Sequence, residues 1–343
     1  MSEGSGQEPL LTAPAAGGGR GPLVPADERL AIGLDIGGTK VAAGVVRADG
    51  RIVERTRIPS PQDVAAEVIL AALLEVIDGL RALQPEVEAI GVGAAGLVRW
   101  PAGLVVWAPH NPYRDLPLRR LLHERTGLPT VVDNDANAAA WAEARFGAGS
   151  GSDHLILLTI GTGVGGGLVL GGRPYRGVSG LGAEVGHMIV APDGPPCSCG
   201  SRGCLEAMVS GTALQLLGRE AVLADPEGSL ARRVGGDAAG VTGPVVFEAA
   251  RAGDPTARAL FARMGYWLGL GIASLVTIFD PELVVVGGGL VETGDLLLEP
   301  ARASFKEYVF APAHRVLPPV VPARLGPDAG LVGAGTLALR AGG

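Results

Sequence analysis

Residues 182–206 gather the side chains of this chain best suited to chemistry, including its three cysteines, Cys197, Cys199 and Cys204. His187 precedes them, and Glu184 and Glu206 frame the set. Three thiolates and one imidazole complete a tetrahedral shell for Zn²⁺. One residue separates Cys197 from Cys199, and Gly200 and Gly203 let the loop turn back to bring Cys204 in. No ligand position is left for water, so such a metal is structural rather than catalytic. The alternative is three buried thiols and a core histidine. Cysteine is absent from the rest of the 343 residues, and that clustering favours zinc. A structural metal must hold something in place, and Glu184, His187 and Glu206 are the polar residues it would hold.

A second polar set is Asp133-Asn134-Asp135-Ala136-Asn137. It follows an expected strand, Thr130–Val132, and precedes the helix-forming run Ala138–Arg145. Open α/β sheets hold ligands at the carboxyl ends of their strands. One side chain, Asp135 or Asn137, would serve as helix N-cap, and capping does not use the whole set. Asp135 is therefore a candidate catalytic or ligand residue. In the loop Ala108–Tyr113, Asn111 is either a ligand contact or a residue serving its own turn.

Glycine-rich turns supply the remaining candidates. Asp35-Ile36-Gly37-Gly38-Thr39-Lys40 links two expected strands. Its glycines allow close backbone approach, Thr39 and Lys40 can donate to phosphate oxygens, and Asp35 could hold hydrated Mg²⁺. An ordinary hairpin turn fits the same residues, and the spacing is not that of a Walker A loop. Gly161-Thr162-Gly163 repeats the plan after a second buried strand, 155–160, which signals an internal duplication. Two such turns would clasp a polyphosphate from both sides. Gly287-Gly288-Gly289 closes the strand Leu283–Val286 and suits a flat ligand such as a nucleoside, or is simply a turn.

The elements that must position these residues read as alternating strands and helices. Leu30–Ile36, Val41–Arg47 and Arg51–Ile58 are expected strands. A helix is expected over 61–83, with Ser60 as cap, Pro61 and Asp63 in the first turn, and a buried stripe of Val64, Val68, Ala72, Val76 and Leu80. Residues 89–95 read as a glycine-rich strand, Leu168–Leu170 as a strand, 207–264 as mainly helical, Gly265–Phe279 as an apolar helix and Gly330–Arg340 as the last helix. The length suits two domains, and 47% hydrophobic residues suffice for a substantial core. A net charge of −7 with no Lys/Arg cluster argues against a nucleic-acid face. No uninterrupted apolar run reaches the length of a membrane span, and an odd cysteine count argues against a disulfide framework. A cytoplasmic protein with no membrane partner is expected. Residues 1–28 are rich in Gly, Pro and Ala and are expected to be disordered.

Taken together, the motifs resemble the ROK family of bacterial sugar kinases and repressors. The family's signature, Glu-x-x-His followed by Cys-x-Cys-Gly-x-x-Gly-Cys-x-Glu, is met at every position of 184–206. Leu34–Lys40 and Ile160–Gly167 are similar to its two phosphate motifs, Asp133–Ala139 to its catalytic motif and Val284–Gly289 to its adenosine motif. The resemblance implies an α/β fold of two ribonuclease-H-like domains, of the actin and hexokinase type, flanking a cleft. The expected domains are 29–148 plus 330–343 and 149–329, the second carrying the zinc segment 182–206.

The resemblance also implies ligands and roles. Zn²⁺ would be bound by His187, Cys197, Cys199 and Cys204. Asn111, Asn134, Asp135, Glu184, His187 and Glu206 would contact a hexose, and Asp135 would be the general base. ATP with Mg²⁺ would meet Asp35, Gly37, Gly38, Thr39, Lys40, Gly161, Thr162, Gly163 and Gly287–Gly289. The implied activity is phosphoryl transfer from ATP to a hexose 6-hydroxyl, with glucose the expected sugar. N-acetylglucosamine, N-acetylmannosamine, mannose or fructose is the alternative. A family repressor carries a helix-turn-helix domain, for which the 28 low-complexity residues before the first strand are too few. Family kinases that act on glucose often have a Trp shortly after the residue matching Asn111, where this chain has Pro112-Tyr113-Arg114. A homodimer or homotetramer is expected from the relatives.

Overall fold

The computed structural model describes residues 28–38, 40–60, 65–108 and 114–341. The expectations for residues 1–27, Thr39, the helix start at 61–64, and Asn111 with Pro112 and Tyr113 lie outside the described residues.

The chain opens with β1 (Leu30–Ile36), β2 (Lys40–Arg47) and β3 (Ile52–Pro59), followed by α1 (Ala66–Leu83). The α1 N-cap is Ala65, with no side-chain capping bond, so Ser60 does not cap this helix. Its buried face is Ile69, Leu73, Ile77 and Leu80, while Val68 is 51% exposed. The expected stripe kept a strict spacing of four, which drifts about 40° around the helix per step. The real face corrects that drift with a step of three.

Next come β4 (Ala89–Ala94), β5 (Leu97–Arg99), β6 (Leu104–Trp107), β7 (Arg114–Leu116), α2 (Leu118–Thr126), β8 (Thr130–Asn134) and α3 (Asp135–Phe146). The first sheet has the order β3-β2-β1-β4-β8; β1 pairs antiparallel with β2 and parallel with β4. Strands β5, β6 and β7 form a small separate sheet.

The second half repeats the plan. It contains β9 (Leu155–Ile160), β10 (Val164–Leu170), β11 (Arg173–Tyr175), α4 (Leu205–Val209), α5 (Gly211–Ala224), α6 (Ser229–Arg233), α7 (Gly243–Arg251) and α8 (Pro255–Phe279). Then follow β12 (Leu283–Gly287), α9 (Asp295–Tyr308), β13 (Val320–Pro322) and α10 (Ala329–Ala341). The second sheet runs β11-β10-β9-β12-β13, with the same alternation of antiparallel and parallel pairs as the first. The duplication signalled by the two glycine turns thus extends to a whole sheet.

Most element limits differ from the sequence reading by only a residue or two, and two differ by more. Strand β10 starts at Val164, not Leu168, so Gly165–Gly167 are strand residues. A side chain at Gly167 would run into Ala136 and Ala140 of α3, so this glycine permits close packing rather than a turn. Helix α8 starts at Pro255, not Gly265, because the Asp254 carboxylate caps it by accepting from Ala257 N at 3.0 Å. Helix α8 is long and apolar enough to cross a membrane by length and composition. Here it is a core helix, with Phe261, Met264, Leu268 and Ile272 fully buried and α9 packed along it.

Helix α10 packs on β1 and β4 and against α3. Gly33 and Gly91 are paired in register, and a side chain at either would strike the α10 backbone at Leu331 or Ala334. The glycine-rich character of residues 89–95 is therefore a flat seat for the last helix. Helix α3 is buried along Ala136–Ala144, and a layer of small residues there joins the two sheets.

Candidate active site

The carboxyl ends of β1, β8, β9 and β12 converge on a cavity of ≈ 150 Å³. Asp35, Asp135, Thr159, Gly287, Gly288 and Gly330 are among its lining residues. This is where an open α/β sheet holds its ligand.

Strand β8 ends at Asn134, whose extended backbone turns its side chain into the capping position. Asn134 Oδ1 accepts from Ala136 N at 2.9 Å and Asn137 N at 3.1 Å, and its Nδ2 donates to Gly96 O at 3.1 Å. The cap is therefore Asn134, not Asp135 or Asn137. Asp135 is already the first helical residue, so capping leaves it free. Its Oδ1 accepts from Ala136 N at 2.9 Å, and Oδ2 has no side-chain donor among the described residues. Asn137 instead donates to Asp133 Oδ1 at 3.1 Å.

Burial and the charge of Asp135 raise the proton affinity of the carboxyls near the cavity. Burial, then the charge of Asp135, pushes Asp35 up to about 7, with Lys40 opposing. Asp135 is raised chiefly by burial. Glu184 stands at the surface of the cleft, and desolvation, then Asp135 and Glu206, pushes it up to about 7. Asp35, Asp135 and the pair Glu184 and Glu206 are thus brought into one electrostatic neighbourhood from three separate parts of the chain. Such crowding marks sites that bind cations or move protons.

The first glycine turn is closed by Gly37 N donating to Lys40 O at 3.0 Å, with Gly38 at its tip. The second is tighter, with Gly161 N donating to Gly163 O at 2.9 Å. It is braced by the N-terminus of α5: Gly211 N donates to Gly161 O at 2.8 Å and Thr212 Oγ1 to Thr162 O at 2.9 Å. Gly287 pairs with Thr159, so Gly287, Gly288 and Gly289 leave the sheet beside this turn. Gly288 has φ +82 and lies so close to Ile160 that a side chain would strike its backbone.

The zinc candidates come together as the sequence predicts. The ligand atoms of His187, Cys197, Cys199 and Cys204 lie within 4.8 Å of one another. Cys199 Sγ to Cys204 Sγ is 3.7 Å, and Cys197 Sγ to His187 Nδ1 is 3.7 Å. A tetrahedral site with Zn–S bonds of about 2.3 Å has edges of about 3.8 Å, so the donor set fits the ion. Burial, then the neighbouring thiols, pushes Cys204 up to about 12; a divalent cation among these donors would remove that penalty. Gly200 and Gly203, at φ +92 and +64, turn the loop back as required. Glu206 Oε1 accepts from Ser198 Oγ at 3.0 Å, and Oε2 accepts from Val164 N at 2.9 Å. One carboxylate thereby ties the zinc loop to the second glycine turn.

Three residues went unnoticed in the sequence reading. Thr212 braces the second glycine turn. Arg176 pairs with Asp133, and Glu143 collects three backbone N–H groups. A Ser-Gly-Thr helix start hints at the first. No local signal marks an isolated Arg or a Glu within an alanine-rich helix.

The comparisons with known proteins agree with this geometry. A model of the ROK family matches residues 31–341. A curated glucokinase of Streptomyces coelicolor is 43% identical over 311 residues, covering 90% of this chain and 97% of its own length. An N-acetylmannosamine kinase of Escherichia coli is 34% identical over 315 residues, covering 90% and 97%. The crystal structure of a ROK family glucokinase from Streptomyces griseus, in complex with glucose and AMPPNP, is 44% identical with a TM-score of 0.81. That match covers 91% of this chain and 99% of the other. The doubled sheet is the two-domain fold of the actin and hexokinase type, and with its loop of His187 and three cysteines and its polar β8–α3 junction this chain belongs to the ROK family.

Proposed function

We propose that this protein is an ATP-dependent hexose kinase that phosphorylates the 6-hydroxyl of glucose. The observation that carries the reading is the freedom of Asp135: Asn134 takes the capping role, and Asp135 remains in a cavity shared with Asp35 and Gly287–Gly288. The names of the relatives support the choice of sugar and phosphoryl donor.

In this mechanism Asp135 accepts the proton of the sugar 6-hydroxyl as that oxygen attacks the γ-phosphorus in line. Burial raises the proton affinity of Asp135 above that of an ordinary carboxylate, which makes it a stronger base. Phosphoryl transfer depends mainly on positioning and charge neutralisation. Gly37, Gly38, Thr39 and Lys40 face the phosphates from one side, and Gly161, Thr162 and Gly163 from the other. The backbone N–H groups of Thr162 and Gly163, with the hydroxyls of Thr39 and Thr162, stabilise the developing charge, while Gly37 N and Gly161 N close their own turns. Gly287–Gly289 let the nucleoside approach the backbone. Asn111, Asn134, Glu184, His187 and Glu206 read the sugar hydroxyls. Asp35 would hold the hydrated Mg²⁺ that, when bound, neutralises phosphate charge. His187 uses Nδ1 toward the thiols, leaving Nε2 to meet a hydroxyl.

The two bodies that close on the substrates are 29–148 plus 330–343 and 149–329. Each sheet has its own core cluster, in support of that division. A cytoplasmic homodimer or homotetramer with no membrane or nucleic-acid partner completes the proposal. The second reading is an acetamido-sugar kinase, favoured by the N-acetylmannosamine kinase match.

The test is ADP release from ATP with glucose, mannose, fructose, N-acetylglucosamine and N-acetylmannosamine. A kcat/KM for glucose about a hundredfold above the others, roughly 2.7 kcal/mol of discrimination, fits the proposal. A faster rate with an acetamido sugar moves the substrate and keeps the mechanism. No sugar-dependent release from any of them defeats it.

A further inference from the structure

Asp133 sits two residues before Asp135, is 3% exposed and lies on the floor of the β8–α3 junction. Its carboxylate is fully engaged. Oδ1 accepts from Asn134 N at 2.9 Å and Asn137 Nδ2 at 3.1 Å. Oδ2 accepts from Arg176 Nε at 2.7 Å, and Arg176 Nη2 is also 2.7 Å away. The Arg176 guanidinium lies 4.0 Å from the centre of the Trp100 ring. Asp133 and Trp100 belong to the first half of the chain and Arg176 to the second, just after β11. Buried charges held by several short bonds fix geometry more than they add stability.

Arg176 also begins the segment that leads to Glu184. Gly182 N donates to Arg176 O at 3.0 Å and closes residues 176–182 into a loop. Trp100 N donates to Ser179 O at 3.1 Å and ties the loop to the β5–β6 hairpin. Ala183 follows in a left-handed conformation, φ 70, and leads directly into Glu184, which feels the charge of Asp135. Arg176 thus links the strand end that carries Asp133 and Asp135 to the loop that leads into Glu184, and is one of the ties that set the separation of the Asp135 and Glu184 carboxylates.

We propose that Arg176, held by Asp133 and Trp100, is a positioning residue that sets Glu184 against Asp135 and so fixes where the sugar lies relative to the base. The inference rests on the proposed sugar contact of Glu184 and base role of Asp135. It belongs to the sugar side of the site, because Arg176 is bonded to Asp133 and Pro174 and lies over Trp100, on the side of the loop that leads to Glu184. Misplacing a bound group by about 1 Å can cost on the order of a hundredfold in rate.

The test uses the full chain and steady-state kinetics with the fastest sugar of the panel. Arg176→Met alone strands a buried carboxylate and threatens folding. Arg176→Lys and the double variant Asp133→Asn with Arg176→Met leave no orphaned charge. In both, the sugar KM is expected to rise about tenfold or more, kcat to fall, and the ATP KM to stay within about twofold. A sugar KM within about twofold of wild type in both overturns the proposal. Equal rises in both KM values also overturn it, since they report a general loss of structure. Failure of the underlying reading looks different: the wild-type protein then releases no sugar-dependent ADP, and both proposals fall together.

Discussion

Glu143 in α3 and Leu325 before α10 are joined across 182 residues: Leu325 N donates to Glu143 Oε1 at 2.7 Å. Oε2 accepts from Arg324 N at 3.1 Å and Ala148 N at 2.8 Å. The Glu143 backbone carbonyl accepts from Gly147 N and Gly149 N. Residues 147–153 carry the chain from the first half to the second, and residues 323–329 carry it back. One fully buried side chain therefore fastens both crossings. Glu143→Ala would leave three N–H groups without their acceptor, at about 3–5 kcal/mol of folding stability. Glu143→Gln retains one acceptor oxygen and is expected to cost about half as much. Denaturant unfolding reads both values, and a loss below about 0.5 kcal/mol for the alanine variant would remove Glu143 from this role.

Asp135→Asn tests the base. The amide keeps the size and the bond from Ala136 N but cannot take the hydroxyl proton. Loss of a general base lowers turnover by about 10²–10⁴. The sugar KM should change little, because Glu184, His187 and Glu206 still meet the hydroxyls. Turnover within about tenfold of wild type would show that another group accepts the proton.

What was legible in the sequence was local. Cys197, Cys199 and Cys204 lie within eight residues of one another, and their loop closes through its own glycines, so the clustering of the candidate ligands could be read directly. Asp135 stood out because polar residues crowd a single strand end. The pairings that complete the site were not legible, since Arg176 meets Asp133 across 43 positions and Glu143 meets Leu325 across 182. Long-range partners leave no periodicity in either segment. Glycine misled for a similar reason. The run Gly165–Gly167 before the expected strand Leu168–Leu170 reads as a continuation of the glycine turn, whereas it lies in β10 and Gly167 makes room for α3. The mistaken α1 stripe came from a regular spacing imposed on a face set by its contact with the first sheet.

The raised carboxyls predict opposite responses of stability and activity to pH. Asp35 and Glu184 are each pushed up to about 7, and Asp135 is raised as well. In the unfolded chain these groups titrate at about 4. The folded protein therefore binds their protons more tightly. Their contribution to stability is fully present below about pH 4 and is lost as pH rises through about 7. The melting temperature of the ligand-free protein should fall between pH 6 and pH 8. Activity requires Asp135 to be ionised, and its proton affinity is raised, so kcat/KM for the sugar should rise with pH while the melting temperature falls. Melting curves and initial rates at matched ionic strength check both. A kcat/KM that is flat down to pH 5 would mean that none of these carboxyls limits the reaction.

Removal of the metal should be felt beyond the zinc loop. Cys199 is exposed and belongs to the tight turn Cys197–Gly200, so Cys199→Ser removes one ligand with little change in packing. The expected result is loss of bound zinc, measured by elemental analysis, and a lower melting temperature. Structural zinc binding is itself folding free energy, on the order of 10 kcal/mol in small isolated domains and less where a core already exists. Glu206 carries the effect further. Its Oε1 accepts from Ser198 in the loop and its Oε2 accepts from Val164 N beside the second glycine turn. When the loop loosens, that turn loses its brace, and His187 and Glu184 lose their setting. Both the ATP KM and the sugar KM should therefore rise, unlike the sugar-selective change expected for Arg176. Full zinc occupancy and unchanged melting in Cys199→Ser would exclude Cys199 as a ligand. Zinc loss with unaltered kinetics would show that the loop holds its shape without the ion.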